Sequence, residues 1–312
     1  MSEADDRPSE LAAEVTEPAS GGPERVERLA VRKTYKLYLG GAFPRSESGR
    51  SYVAATPDGR PLANAALASR KDLRDAVVAA RKAQPGWAAA TAYLRGQVVY
   101  RVAEMLEGRH AQFADALVAG EGLAPEAASA TVGAAVDRLV WYAGWADKFA
   151  QVAGSSNPVA GPYFDFSVPE PSGVVGVLAP QGSSLLGLVS VIAPVIVTGN
   201  AAVVVASESR PLPAMELAEV LATSDLPGGV VNILTGRTAE LGPVMAAHRD
   251  IEALDLCGAP GEHDAALEAA AADNVKRVLR RPGREPDWSE PPTPARMLFF
   301  VEIKTVWHPV GV

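Results

Sequence analysis

Apolar positions follow two different rhythms along this chain. In the first half they recur at helical spacing. Leu73, Val77 and Ala80 share one face of a segment from Asp72 to Gln84, which Pro85 and Gly86 are expected to stop. Val98, Val102, Met105 and Leu106 mark a second helix from Leu94 to Glu107, and Gln112 to Val118 and Pro125 to Val152 extend the helical layer. The last of these carries Trp141, Tyr142, Trp145 and Phe149, aromatics whose spacing suits core packing. From Gly173 onward the rhythm changes to short β-branched runs: Val174–Leu178, Ala202–Val205, Val230–Leu234, Leu254–Cys257 and Val275–Leu279. Between them lie the apolar or amphipathic segments Leu185–Val197, Ala214–Ala222, Leu241–Ala247 and Asp264–Ala272. Strand and helix alternating at this spacing predict an α/β fold with a doubly wound parallel sheet behind an N-terminal helical layer.

The flanks read differently. Residues 1–30 are rich in Glu, Ser, Pro and Gly without apolar periodicity and read as a disordered acidic tail. Order is expected from Tyr35 to Phe43, an edge-strand pattern running into a glycine turn. Residues 280–296 hold too many prolines for a helix or central strand and read as a Pro/Arg-rich linker between a domain over 31–279 and a final strand over 297–312. That strand carries Phe299, Phe300, Val301, Ile303, Val306 and Trp307. An unpaired apolar strand invites pairing with another chain; the competing reading folds it back onto a sheet of its own chain.

Composition narrows the function classes. With 312 residues and 48% hydrophobic content the chain can bury a sizeable core. The tail concentrates the charge: residues 1–30 hold eight acids against three arginines, or −5 of the net −8. The body has no clustered basic footprint, so no nucleic-acid partner is expected. A single cysteine, Cys257, excludes an internal disulfide, and with no apolar signal core it points to a reducing, cytoplasmic setting. Leu185 to Val197, interrupted by Pro194, falls short of the roughly 20 residues that span a bilayer, so no membrane partner is expected. His110, His248, His263 and His308 show no metal-ligand spacing. Cys257 ends an apolar strand with no activating His or Glu nearby in sequence, the position of a small buried residue and not of a nucleophile.

Several motifs recur in a recognisable order. They are Leu39-Gly40-Gly41-Ala42-Phe43, Ala143-Gly144-Trp145-Ala146-Asp147-Lys148, the strand and turn from Pro171 to Pro180, Ala193-Pro194 with Gly199-Asn200, the run from Leu226 to Gly236, and Asn274 to Val278. In this order and spacing the chain resembles the aldehyde dehydrogenase superfamily over residues 35–279. The stretch from Arg32 to Arg50 resembles the second, non-catalytic repeat of two-repeat members. The resemblance implies a Rossmann-like domain, NAD or NADP as the family's cofactor, and a C-terminal oligomerisation strand matching Phe300 to Val306.

The same resemblance exposes departures. Gly182 stands where the family's oxyanion-donating Asn would be, and Val205 where a Lys would help Glu208 hold the adenine ribose. Ala259 and Pro260 follow Gly258 where a Ser and a helix N-terminus would approach the pyrophosphate. Arg281 occupies the general-base position, and the domain that would bring the nucleophilic Cys is replaced by residues 280–296. No catalytic residue is therefore expected. Glu208, Gly236 and Gly258 remain as vestigial cofactor-binding positions, although glycines in the turns Gly173–Gly176 and Gly236–Gly242 serve equally to permit tight strand-to-helix connections. The resemblance then implies an inactive homologue that assembles with a full-length aldehyde dehydrogenase or with itself, with little need for a cofactor. The alternative is an NAD(P)-dependent oxidoreductase acting on an aldehyde or oxo group.

Overall fold

The computed structural model describes residues 31–280 and 283–311. The tail expected over 1–30 and Arg281 at the general-base position lie outside the described residues. Three short strands, β1 (Thr34–Tyr35), β2 (Ser51–Ala55) and β3 (Pro61–Ala66), form one sheet in the order β1-β3-β2. The helical layer follows as α1 (Arg70–Ala89), α2 (Ala92–Glu107), α3 (His110–Glu121), α4 (Pro125–Ala143) and α5 (Phe149–Ala153). Strands β4 (Ser155–Asn157) and β5 (Tyr163–Pro171) lead into an alternating series: β6 (Val174–Leu178), α6 (Leu186–Val197), β7 (Ala201–Val205), α7 (Leu212–Leu221), β8 (Val231–Leu234), α8 (Thr238–Ala247), β9 (Ala253–Asp255), α9 (Asp264–Ala272) and β10 (Arg277–Leu279). The chain closes with α10 (Ala295–Phe299) and β11 (Val301–Pro309).

Five strands pair in the order β10-β9-β6-β7-β8, all parallel. The doubly wound α/β architecture anticipated from the alternation is therefore present. Every residue of β6, β7, β8 and β9 is buried, which explains runs of Val and Leu without polar alternation. The two-residue strand period splits them between two cores. Val175, Val177, Ala202, Val204 and Ile233 meet apolar side chains of α2, α3, α4, α6 and α7. Val174, Leu178, Val203, Val205 and Leu254 meet those of α1, α8 and α9.

The strand expected over Tyr35 to Phe43 is reduced to its start in β1, followed by single bridges from Tyr38 to Ile233 and from Leu39 to Ala42, and β9 and β10 are shorter than the runs Leu254–Cys257 and Val275–Leu279. Three further departures have a tertiary reason. Helix α1 runs through Pro85 to Ala89 instead of stopping there, because Trp87 is buried and its Nε1 donates to the Ile196 carbonyl at 2.7 Å. The single helix anticipated from Pro125 to Val152 breaks after Ala143 at the C-cap Gly144 and resumes at Phe149. Met297 to Phe299 belong to α10 and not to a strand, since Met297 and Phe300 turn inward to the core against α6.

The final strand pairs within its own chain. β11 runs antiparallel to β5 from Val301 opposite Pro171 to Pro309 opposite Tyr163, giving a sheet ordered β11-β5-β4. The strand is thus folded back, and only its outer edge is open. Asn200 fixes this junction: its Oδ1 accepts from Gly173 N at 2.8 Å, while its Nδ2 donates to the Thr198 hydroxyl at 2.9 Å and the Phe300 carbonyl at 2.8 Å. A buried side-chain amide with partners at both ends costs little to desolvate and specifies one arrangement of the three segments.

Candidate functional site

In a doubly wound sheet, ligands bind at the carboxyl ends of the strands where the winding reverses. Here that point lies between β6 and β9, because the chain proceeds from β6 to β7 and β8 on one side and then returns to β9 on the other. The topology brings all three anticipated cofactor positions to this rim. Glu208 follows β7, Gly236 follows β8 and Gly258 follows β9.

Their surroundings are already filled by the chain. The Glu208 carboxylate forms an ion pair with Arg237 and accepts from Thr238 N at 3.3 Å, at the N-terminus of α8. Its own N–H donates to Gln181 Oε1 at 2.9 Å, and Ser207 Oγ donates to the Gln181 carbonyl at 3.0 Å, lacing together the turns after β6 and β7. Arg210 donates to the Gly182 carbonyl across the same gap. Val205, in place of a lysine, is fully buried. Gly258 lies so close to β6 that a Cβ there would sit 1.7 Å from the Ala179 carbonyl oxygen. Gly236 packs against the Ala68 backbone and the Leu241 side chain. Pro260 precedes only a single 3₁₀ turn, Gly261–His263, before α9.

The N-terminus of α6 is the rim's natural anion cradle, since its N–H groups and dipole converge there. Two carboxylates of the chain hold the turn that leads into it, and the Gly187 N–H within α6 donates to Ser183 Oγ at 2.9 Å. Glu285 accepts from Gly182 N at 2.8 Å and from Ser183 N at 2.9 Å. Glu121 accepts from Ser184 N at 2.8 Å and from the Ser184 hydroxyl at 2.5 Å. Glu285 comes from the proline-rich stretch after β10, which has no regular structure between Gly283 and Pro294 but is firmly anchored. Trp288 is buried and donates from Nε1 to Glu285 Oε1 at 3.1 Å. Arg138 donates to the Trp288 and Glu290 carbonyls at 2.7 and 2.8 Å and to Ser190 Oγ at 2.8 Å. Beneath them Arg296 forms an ion pair with Asp255 and lies 5.2 Å from the centre of the Trp288 ring. Burial pushes the Asp255 carboxyl up, and Arg296 and the Cys257 N–H pull it back toward the charged form. None of Glu121, Arg138, Glu285 or Arg296 carries a local sequence signal; each acts on a group 41 to 150 residues away.

The one thiol is unsuited to attack. Cys257 is buried, and desolvation, then the neighbouring Asp255, pushes it up to about 12, so the thiolate is disfavoured. Among the described residues no group of three or more His, Cys, Asp or Glu could hold a metal ion, and no helix is long and apolar enough to cross a membrane.

Comparison with known proteins places this geometry. Residues 43–283 match the model of the aldehyde dehydrogenase family. Mouse retinal dehydrogenase 2 is 32% identical over 272 residues, 85% of this chain and 52% of that protein. Mouse cytosolic 10-formyltetrahydrofolate dehydrogenase is 30% identical over 271 residues, 84% of this chain and 30% of that protein. Among solved structures, HpcC from Thermus thermophilus superposes with a TM-score of 0.74 at 29% identity, over 79% of this chain and 47% of that one. The NAD+ complex of an aldehyde dehydrogenase from Bacillus cereus gives 0.74 at 25% identity, over 79% and 50%. The chain thus spans about half or less of the proteins it matches. On the family model and the shared fold together, it belongs to the aldehyde dehydrogenase family.

Proposed function

We propose that this chain is a catalytically inactive member of the family that acts in the cytoplasm as a structural or regulatory subunit, assembling with a full-length aldehyde dehydrogenase or with a second copy of itself. One observation carries the reading. The Glu285 carboxylate sits on the Gly182 and Ser183 N–H groups, in the cradle that an external ligand would need. Covalent acyl transfer needs a nucleophile, a base and an oxyanion donor in mutual reach. Gly182 has no side chain to donate, and the only thiol is held neutral in the core. The residues at the rim do not fit a dinucleotide either: the ribose-holding candidate Glu208 is spent on Arg237 and α8, and two carboxylates oppose a pyrophosphate at α6.

The assembly half of the reading rests on the edge of β11. Ile303 and Trp307 are more than half exposed there, with Phe164 exposed on the neighbouring β5. An open edge with apolar side chains is suited to accepting another strand. Co-expression with a full-length aldehyde dehydrogenase, followed by size-exclusion chromatography with light scattering, tests it. A stable complex or homo-oligomer that Ile303→Lys weakens is expected. A monomer under all conditions, or aldehyde-dependent NADH formation by the purified chain alone, overturns it.

A further inference from the structure

The stretch from Arg32 to Arg50 has no part in the reading above, yet it forms a cavity of its own. An open concavity of about 310 Å³, with Lys36, Arg45 and Arg50 solvent-exposed around it, lies between β1, the start of β2, the end of β3 and the loop leading to Gly49. Its lining includes Lys36, Arg45 and Arg50, with the hydroxyls of Thr34, Ser46 and Ser51. No Asp or Glu lines it.

Comparison with two other concavities makes this unusual. A groove of about 750 Å³ over α2 and α4 is lined by Arg101 and Lys148, but Glu104, Asp147 and Asp225 line it too. Arg101 there pairs with Glu104 at 2.9 Å, and Lys148 donates to the Gly144 carbonyl. A cleft of about 160 Å³ beside Trp288 is lined by Arg138 and Arg296, whose partners are backbone carbonyls, the Ser190 hydroxyl and Asp255. Lys36, Arg45 and Arg50 make no side-chain hydrogen bond or ion pair among the described residues. Two carboxylates belong to the loop and its brace without lining the cavity: Glu47, whose Oε1 accepts from Ser69 Oγ at 2.9 Å, and Asp72. Asp72 accepts from Ser46 Oγ at 2.7 Å, Ser69 N at 2.8 Å and Glu47 N at 3.1 Å, so it braces the loop and does not face the cations from inside.

Three cations around one concavity repel each other, and a concave wall of one sign focuses the field inside it. Two guanidinium groups offer planar forks that match phosphate oxygens, Lys36 adds a point charge, and the Ser51 hydroxyl, unpartnered among the described residues, adds a donor. The volume sits at the lower end of the range for small-molecule sites. We propose that this cavity is a binding site for a phosphate-bearing small molecule, distinct from the strand-end rim.

Titration of the full chain with inorganic phosphate and with pyrophosphate, at ionic strength held constant with chloride, tests the proposal by calorimetry. Saturable binding is expected, with pyrophosphate tighter, and R45A/R50A should weaken it at least about tenfold because charge-assisted hydrogen bonds are lost. Arg101→Ala, which removes an arginine from the other groove, should leave it unchanged. Backbone amide shifts of the unmutated chain on adding phosphate should concentrate at residues 45–51, a readout that does not depend on any variant folding. Absence of saturation up to ~10 mM of either anion, equal affinity in R45A/R50A, or amide shifts centred on residues 182–187 would each overturn it.

Discussion

The rim between β6 and β9 and the cavity beside β1 both gather charged groups, but they treat them oppositely. At the rim each charge has a counterpart from the same chain: Asp255 with Arg296, Glu208 with Arg237, Glu285 with two backbone N–H groups. At the cavity Lys36, Arg45 and Arg50 have none among the described residues. The strand end of a doubly wound sheet is where function is sought by default. Here it is neutralised from within, while an ordinary-looking N-terminal loop keeps its electrostatics unspent. A surface's place in the fold and its capacity to bind are separate properties.

The largest test breaks the rim's self-sufficiency. Arg296→Ala leaves the wholly buried Asp255 without its counter-ion and should cost about 3–5 kcal/mol in urea unfolding. Arg296→Met combined with Asp255→Asn should cost much less, since no charge is then stranded. Equal losses for the two variants would mean the ion pair itself contributes nothing.

A second test asks whether neutralisation is a general habit of this chain. Glu216 on α7 is buried, and desolvation pushes its carboxyl up to about 7, with Tyr35 donating to it at 3.4 Å. The folded state holds this proton more tightly than the unfolded chain. Stability should therefore fall as pH rises from about 4.5 to 7, by at most ~3 kcal/mol. Glu216→Gln should flatten that slope in chemical denaturation across the window; an unchanged slope would assign it to other groups.

Third, Glu285→Gln keeps the shape of the side chain but removes the charge from the α6 cradle. A loss of about 1–3 kcal/mol is expected, read from the urea midpoint at constant m. Should this variant acquire calorimetric affinity for pyrophosphate, the contrast between rim and cavity sharpens, because the cradle's own anion would then be shown to exclude others. The smallest effect is at the cavity. In phosphate-free, low-salt buffer R45A/R50A should raise stability by less than ~1 kcal/mol through relieved repulsion, and the gain should vanish at 1 M salt.

The parallel sheet was legible because burial on both faces writes itself into uninterrupted Val and Leu runs; Val174–Leu178 matches its strand residue for residue. Topology then put Glu208, Gly236 and Gly258 on one rim. The engagement of Glu208 by Arg237 was not legible, because an ion pair between residues 29 apart leaves no periodicity. Nor was the anchoring of residues 283–300. From Gly283 to Pro294 the proline-rich stretch holds neither helix nor strand, but its composition says nothing about whether Trp288 finds a buried slot. The extension of α1 past Pro85 was not legible for a related reason: local propensity yields when a buried tryptophan holds the last turn.

The pairing of β11 with β5 has a consequence for how the polypeptide is made. Partners in this ladder are separated by 130 to 146 residues, from Val301 with Pro171 to Pro309 with Tyr163. At a synthesis rate of about 5–20 residues per second, β5 is exposed on the order of ten seconds before its mate exists. Throughout that interval a nascent molecule presents a vacant hydrogen-bonding ledge to its neighbours on the ribosome's mRNA. Whatever strand reaches it first competes with the chain's own ending.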